Sequence, residues 1–467
     1  MPGLHRRPCA RAIEYWVSLP LESRRTGCRH EVYLRTNCAR EQQRTARSSC
    51  REGQLLKTLL IQPEYSEKFR CIGPACEDSC CVGWNVDIDQ ATYEKYQTVP
   101  AGPLRILIDA NIVRIQEGSD GKKPPGFARI NMPPSMQCPF HNAERLCQIQ
   151  VEHGESYLSQ TCASYPRTTH VIDTLSEMTL TLSCPEACRL VLMNPDLLAF
   201  NADSARQVES NDAKSDLPLL RYFWPIRAFT IGLIRNRAYP LWQRMFLLGT
   251  FSRRLEAVVR GEVKGGFPAM LKGFSGAVAS ASLNASIETI PADLALQLGM
   301  VLGMMKLRAR NASMSPRLVE CLNAFADGIG YERETSLQGL SAEYAIAYER
   351  YYAPFFIKHP YILDNYLINM IFRKVFPFGA QLSDKEAAPQ PAKDFALLAA
   401  DFALIKGLLI GVAGSHKEAF SVEHVLQTVQ TAFKYFEHNA DFLVNAHQIL
   451  VTKKLDNAHG LTMLLRN

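Results

Sequence analysis

The chain has 467 residues, of which 47% are hydrophobic and 21% are charged. This is the composition of an ordinary globular protein with room for two or three domains. The net charge of +6 lies entirely in residues 1–55, where eleven Arg and no Lys stand against five Glu, so the rest of the chain is neutral overall. A neutral body argues against a nucleic-acid partner, which needs clustered Lys and Arg on its binding surface.

The first 55 residues differ from the rest in more than their charge. Their four cysteines have spacings that match no metal-binding pattern, and apolar periodicity is weak. Three interpretations stay open: a disordered basic arm, an interaction tail, or a reading frame that starts too early, with translation beginning near Leu56. We favour the third and leave this segment out of the fold prediction.

No segment predicts a membrane span or an export signal. The most apolar stretch, Phe395–Val412, is interrupted by Asp401 and Lys406, which predicts a buried helix rather than a membrane-spanning one. No apolar run near the N-terminus precedes a small-residue cleavage site. We therefore expect a cytoplasmic protein without membrane insertion, in a compartment that keeps thiols reduced.

The predicted fold class is α+β, with an irregular cysteine-rich domain at residues 56–200. Apolar residues on both sides of Asp109–Asn111 predict a hairpin over residues 106–115. The alternation of apolar residues and threonines from Met178 to Leu182 predicts a strand that leads to Cys184.

Residues 217–467 predict a mainly α-helical domain, separated from the first by a polar linker at residues 201–216. Apolar residues recur there with helical spacing in four stripes. The stripe that contains Tyr344, Tyr348 and Tyr351 is rich in aromatic residues, which favours core packing over a substrate groove. The four stripes begin at Leu241, Leu294, Tyr344 and Val422.

Nine of the fourteen cysteines lie between Cys71 and Cys188. Clustered thiols in a reducing compartment indicate metal binding before disulfides, and thiolates bind soft metals and iron–sulfur clusters. The densest group has the spacing Cys-x4-Cys-x3-Cys-Cys and consists of Cys71, Cys76, Cys80 and Cys81. Further ligands are offered by Cys138, Cys147, Cys162 and Cys184.

Two simpler interpretations compete with an iron–sulfur centre. A single buried cysteine is most often a small apolar residue, although this explains poorly why so many lie beside Gly or Pro. Zinc also binds sets of four thiolates, but its usual paired Cys-x2-Cys hooks do not occur in this sequence. Adjacent Cys80 and Cys81 point in different directions and need not bind one centre.

Six segments resemble the flagellin lysine-N-methylase family, which belongs to a wider group of iron- or zinc-chelating proteins with a CxxCxxCC-type signature. The resemblance runs from about Lys57 to the C-terminus, although the first cysteine spacings are longer here than in that signature. The segments are Leu60–Tyr65, Phe69–Trp84, Thr161–Arg167, Thr181–Ala187, Asn365–Asn369 and Phe376–Gly379.

This resemblance implies a methyltransferase that moves methyl groups from S-adenosylmethionine to lysine ε-amines of flagellin, a protein of the bacterial flagellum. It also implies a 4Fe-4S cluster, whereas Cys188 does not belong to the family pattern. The cluster ligands that it implies are Cys71, Cys76, Cys80 and Cys81, with help from Cys138, Cys147, Cys162 and Cys184.

Catalytic residues are not fixed by the sequence. No Gly-x-Gly-x-x-Gly follows a predicted strand, so a Rossmann-type nucleotide site lacks its usual fingerprint. The glycines from Gly407 to Gly414 lie in an apolar helical context, which predicts helix packing. Polar methyl transfer needs a neutral lysine amine. Trp84, Tyr165 and Asp87 lie near cysteines in the sequence and are candidates to wall or serve a lysine channel, although a structural role is simpler for each.

A second function stays open beside methyl transfer. The cysteine-rich region also fits a non-enzymatic metal-binding module, with zinc or an iron–sulfur centre, that binds flagellin or carries electrons. In either case we expect the helical half mainly to recognise flagellin.

Overall fold

The computed structural model describes residues 56–115, 126–172, 175–197, 206–210, 219–309, 315–334, 336–379, 388–437 and 440–467. Within these residues the chain is mostly helical, and its strands all lie in the first half. The predicted arm at residues 1–55 lies outside the described residues.

The described strands form two sheets. The strands are β1 (Leu56–Ile61), β2 (Asp87–Ile88), β3 (Ile112–Arg114), β4 (Ala128–Ile130), β5 (Arg167–Ile172), β6 (Leu175–Leu180) and β7 (Arg206–Ser210). The larger sheet has the order β5–β6–β1–β7, with β1 parallel to β6 and antiparallel to β7. The smaller sheet has the order β2–β4–β3. The strand predicted around Met178 is confirmed as part of β6.

Strand β7 lies inside the segment predicted as a linker. Its residues pair with β1, with Leu56 opposite Ser210 and Leu60 opposite Arg206. An edge strand needs only backbone hydrogen bonds on one side, so a polar sequence can form it. The linker prediction is therefore wrong for residues 206–210, while its other residues lie outside the described part of the chain.

Short helices connect these strands. They are α1 (Glu64–Lys68), α2 (Gln90–Gln97), α3 (Pro103–Asn111), α4 (Gln148–His153), α5 (Gln160–Ser164) and α6 (Pro185–Leu192). A small separate core lies between the smaller sheet and helices α2 to α4, with Ile88 and Ile108 at most 1% exposed.

The hairpin predicted at residues 106–115 is wrong for its first arm, which belongs to helix α3. Leu104 and Ile108 are four residues apart and both face the small core, and Arg105 forms an ion pair with Asp109 at 2.9 Å. Both spacings are those of a helix face. Pro103 in the first turn fixes a helical φ where no amide donor is needed.

The second half is built from helices. They are α7 (Phe223–Arg235), α8 (Leu241–Val259), α9 (Gly266–Ala279), α10 (Asn284–Glu288), α11 (Leu294–Ala309), α12 (Pro316–Gly328), α13 (Leu337–Ala347), α14 (Ala353–Lys358), α15 (Tyr361–Arg373), α16 (Pro391–His416), α17 (Val422–Ala432), α18 (Ala440–Thr452) and α19 (Ala458–Met463). Two π-helical turns, Tyr348–Tyr352 and Phe433–Glu437, follow α13 and α17. The predicted helical character of this half is confirmed.

Helix α16 lies at the centre of this half and packs against α8, α11, α12 and α13. A Cβ at Gly407 would lie 2.3 Å from Cγ2 of Val301, and one at Gly411 would lie 2.4 Å from Cδ2 of Phe325. The glycines therefore permit close helix packing, as predicted. By length and composition the segment Pro391–Ala419 could cross a membrane, but 94% of its apolar window is buried inside the protein, which confirms the predicted buried helix.

The aromatic stripe after α13 belongs to the core, as predicted. Tyr344 is 1% exposed, and Tyr348 and Tyr351 pack against the main core as partly buried residues. The ring centroids of Tyr348 and Tyr352 are 5.5 Å apart across the π-helical turn.

The larger sheet is packed directly onto the helical half. Glu177 of β6 and Arg227 of α7 are both buried and form an ion pair with an Nη2–Oε2 distance of 2.8 Å. The Asn369 amide of α15 donates to the carbonyl oxygen of Leu180 at 3.0 Å. The main core therefore includes residues from both halves, and the division into domains at residues 56–200 and 217–467 stays a prediction.

Candidate metal centre

Seven of the eight predicted metal-binding cysteines line one cleft of about 320 Å³. They are Cys71, Cys76, Cys80, Cys81, Cys147, Cys162 and Cys184. The cleft is also lined by three arginines, Arg70, Arg145 and Arg167. Cysteines that are up to 113 positions apart in the sequence thus border a single cleft.

The motif from Cys71 to Cys81 forms an irregular loop. Gly73 adopts a φ of +57°, a value that glycine reaches without strain, and it opens the short 3₁₀ turn Gly73–Ala75. The guanidinium of Arg145 donates to the carbonyl oxygen of Cys76 at 2.6 Å. The end of the loop pairs with a second segment, because the Cys138 amide donates to the carbonyl oxygen of Cys81 at 2.7 Å.

The more distant cysteines lie at or near helix starts. Cys147 and Cys184 are the N-cap residues of α4 and α6, and Pro185 occupies the first turn of α6. Cys162 lies in the first turn of α5, where its amide donates to the Ser159 side chain at 3.3 Å. Amides at a helix start favour a thiolate over a thiol.

Cys138, the eighth predicted ligand, does not line the cleft. It is buried in the small core behind the cleft, where Cys81, Cys147 and Cys162 also pack. Cys188 is fully buried, and its Sγ lies 3.9 Å from the carbonyl oxygen of Leu426. Cys321 is buried in α12.

Burial keeps most of the cleft thiols protonated in the absence of metal. It raises the pKa of Cys184 to about 12 and that of Cys162 to about 11. It also raises the pKa of Cys76 and of Cys147, although the amides of Gln150 and Ile149 oppose the shift in the latter. A metal that binds these thiols would therefore have to displace protons.

Cys80 differs from the other cleft thiols. A hydrogen bond with the Cys81 thiol lowers the pKa of Cys80 to about 7, and the Lys434 ammonium contributes to the shift. The same hydrogen bond raises the pKa of Cys81. Cys80 is also exposed, so it is the thiol that ionises most readily at the cleft.

The thiols border the cleft and do not converge on a point. Among the described residues, no group of three or more His, Cys, Asp or Glu side chains is placed to hold a metal ion. An iron–sulfur cluster is held by thiolates that surround several metal atoms, not by ligands that meet at one. The number and kind of donors around the cleft therefore fit such a cluster.

The three catalytic candidates occupy different places. Tyr165 lines the cleft, and its hydroxyl lies 3.2 Å from Oγ of Ser183. The Trp84 ring lies 5.5 Å from the Tyr165 ring, and its indole N–H donates to the carbonyl oxygen of Cys80 at 2.6 Å. Asp87 does not line the cleft and forms an ion pair with Arg129 at 2.9 Å.

Residues from the helical half reach the motif, and the sequence did not predict this contact. The ammonium of Lys434 donates to both carboxylate oxygens of Asp78, at 3.0 and 2.9 Å. The Gln430 amide donates to Oδ2 of Asp78 at 2.9 Å. Burial opposes ionisation of Asp78, but Lys434, Gln430 and the Ser79 amide together outweigh this effect, and the pKa of Asp78 lies below its usual value.

Comparisons with known proteins agree with the resemblance found in the sequence. Residues 227–464 match the family model of the FliB lysine N-methylase C-terminal domain. A lysine-N-methylase of Salmonella typhimurium is 22% identical over 419 residues, which cover 87% of this chain and 98% of the relative. A lysine-N-methylase of Salmonella choleraesuis gives the same identity and coverage.

A shorter relative matches part of the chain. The flagellar biosynthetic protein FliU of Salmonella muenchen is 29% identical over 173 residues, which cover 37% of this chain and 95% of the relative. No solved structure shows a significant match.

Proposed function

Because this chain belongs to the FliB lysine N-methylase family, we propose that it transfers a methyl group from S-adenosylmethionine to lysine ε-amines of flagellin. We further propose that the transfer depends on a 4Fe-4S cluster in the cysteine cleft. The names of the relatives support lysine methylation and a flagellar role, while the donor, the cluster and flagellin belong to the proposal.

One observation carries the cluster proposal: seven thiols from distant parts of the sequence line the same cleft. A single buried cysteine is ordinary in a protein core, but seven around one space offer more than the four thiolates that a 4Fe-4S cluster needs. The cysteines that would hold it are those of the cleft, with Cys138 behind them as a reserve ligand or packing residue. A 4Fe-4S cluster bound there would supply a redox-active centre.

The aromatic residues at the cleft suit a lysine side chain. A lysine ammonium has no lone pair, so the substrate amine must lose a proton before it can accept a methyl group by a polar route. Free lysine titrates near pH 10.4, and an apolar environment lowers that value. The Tyr165 ring at the cleft, with the Trp84 ring packed 5.5 Å from it, would exclude water from such a lysine, and ring faces also attract the cationic form as it enters.

Methyl transfer from labelled S-adenosylmethionine to flagellin tests the proposal directly. The full chain, purified without oxygen, should be brown and should label flagellin. Cys80→Ser should lose the visible absorption and the transfer activity. Cys321→Ser is the matched control, because Cys321 lies in α12 outside the cleft lining and its neighbours Thr428 and Thr431 can bond a serine hydroxyl.

Two outcomes would contradict the proposal in different ways. Full transfer by folded, metal-free protein would make the cysteine centre a structural element. A bound cluster without transfer to flagellin would favour a metal-binding module that binds flagellin or carries electrons.

A further inference from the structure

Asp78 is a charged residue in the middle of the cysteine motif, and the two side chains that bond its carboxylate, Lys434 and Gln430, come from the far end of the chain. Lys434 donates to its two carboxylate oxygens and Gln430 to one of them. The Lys434 side chain is 9% exposed and that of Asp78 is 18% exposed. An ion pair this shielded from solvent is screened little and orders both side chains.

The same two residues also hold the backbone on both sides of the cleft. The Lys434 ammonium donates to the carbonyl oxygen of Ser79 at 2.9 Å, next to Cys80. The Gln430 amide donates to the carbonyl oxygen of Ser183 at 2.9 Å, next to Cys184. Each contact is one residue away from a cysteine that lines the cleft.

The surroundings of these residues fix their positions. Gln430 is 1% exposed, and its amide oxygen accepts from Nε of Arg317 at 3.0 Å. Lys434 lies in the π-helical turn Phe433–Glu437, a rare backbone form that often occurs at functional sites. A Cβ at Gly83 would lie 3.5 Å from Cε of Lys434, so the lysine stem crosses the end of the motif.

We propose that Lys434 and Gln430 are positioning residues for the metal centre, which hold the Cys76–Cys81 loop and Cys184 in place around the cleft. The proposal rests on the proposed function in one respect, that a cluster occupies the cleft. The helical half would therefore have a second task, beside the flagellin recognition that the sequence predicts for it. Loss of the Lys434 charge would also leave Asp78 as an unpaired negative charge beside a thiolate-bound centre, which would disfavour the reduced form of that centre.

The test compares four variants of the full chain. Lys434→Met removes the charge and keeps most of the stem, Asp78→Asn removes the partner charge, and Lys434→Arg keeps the charge. Lys374→Met is the matched control, because Lys374 forms a similarly shielded ion pair with Asp401 at 3.0 Å in the helical half. Iron release to a chelator, the midpoint potential of the centre and amide hydrogen exchange of residues 76–81 are measured for each.

We expect Lys434→Met and Asp78→Asn to release iron roughly 10-fold to 100-fold faster than the parent, the usual cost of losing a residue that orders metal ligands. Amide exchange of residues 76–81 should accelerate in both. The midpoint potential of Lys434→Met should shift to a more negative value. Lys434→Arg should restore the parental potential and iron retention, and Lys374→Met should match the parent in all three measurements.

Two results would overturn the inference. One is that Lys434→Met matches Lys374→Met in iron release and exchange. The other is that Lys434→Met accelerates amide exchange of residues 76–81 but leaves iron retention and the midpoint potential unchanged. The lysine would then order the loop without positioning the centre. If the parent itself binds no iron, the proposed function fails, whereas exchange on the metal-free chains still decides whether Lys434 holds the loop.

Discussion

The cysteine motif and helix α16 are built in opposite ways. Helix α16 has 26 residues, and its backbone polar groups are satisfied by its own hydrogen bonds. The motif from Cys71 to Cys81 contains one three-residue 3₁₀ turn, and the backbone carbonyls of Cys76, Ser79 and Cys80 accept from side chains outside the motif. Those side chains are Trp84, Arg145 and Lys434.

The difference shows how an irregular cysteine loop can be held in place. A loop that turns its thiols toward a cleft buries little side-chain surface of its own, so much of its order must come from neighbouring elements. The helical half, which buries its own apolar faces, is rigid enough to provide that order. Stability and metal binding should therefore respond differently to substitutions in the two regions.

The largest effect is expected where the sheet joins the helical half. Glu177→Gln would leave Arg227 buried without its charged partner, and breaking a buried pair costs about 3–5 kcal/mol. Urea unfolding should show this loss in the free energy of unfolding. The control Glu64→Gln breaks the exposed pair with Lys68 and should cost less than about 1 kcal/mol. Equal effects in the two variants would mean that the sheet is anchored by other contacts.

Close packing within the helical half should be the next most sensitive feature. A Cβ at Gly328 would lie 1.7 Å from the carbonyl oxygen of Gly411, a backbone atom that cannot move independently. Gly328→Ala should therefore lower the free energy of unfolding by about 3 kcal/mol. In α9, a Cβ at Gly273 meets nothing within 4 Å, so Gly273→Ala should raise stability by up to about 1 kcal/mol. If both variants changed the free energy of unfolding in the same direction, close helix packing at Gly328 would not explain its effect.

The buried Lys406 of α16 should make the free energy of unfolding depend on pH. Burial lowers the pKa of Lys406 to about 7, whereas lysine in an unfolded chain titrates near 10.4. Between these values the unfolded chain holds a proton that the folded chain lacks, so stability rises with pH. The free energy of unfolding of the parent, relative to Lys406→Met, should rise by about 1 kcal/mol per pH unit above about pH 7. If the free energies of unfolding of the parent and of Lys406→Met changed in parallel with pH, the pKa of Lys406 would not be lowered by folding.

The smallest effect is expected in the cysteine region. Ser159 caps helix α5, which carries Cys162. Ser159→Ala should cost about 1 kcal/mol, and amide exchange should show the loss mainly as local opening of residues 160–164. If the amides of residues 160–164 and those of α16 exchanged faster by the same factor, the two regions would unfold as one cooperative unit.

The features that the sequence predicted best are those with a regular spacing along the chain. The stripes that begin at Leu241 and Leu294 lie on helices, and the glycines from Gly407 to Gly414 permit close packing, because a helix imposes its period on every turn. The hairpin predicted at residues 106–115 was wrong. That prediction relied on Asp109–Asn111, whose composition is typical of a turn. The helical spacing of Leu104 and Ile108, which both pack into the small core, outweighed that turn preference and made residues 103–111 a helix.

For the site, the sequence predicted which cysteines come together and missed what holds them. Cysteine clustering is visible locally, so seven of the eight predicted ligands line the cleft. The bond from Lys434 to Asp78 joins residues 356 positions apart, and no local pattern marks such a contact. The charged residue Asp78 between the clustered cysteines was the one available signal, because a shielded carboxylate needs a cation nearby.

The distance in sequence between Asp78 and its partners also sets an order of events during synthesis. A ribosome that adds about 5–20 residues per second needs some tens of seconds to proceed from Asp78 to Gln430 and Lys434. Throughout that interval the cysteine loop exists without the residues that fix it. Any cofactor loaded during translation would meet a loose loop, and the helical half would close around the site only when the chain is nearly complete.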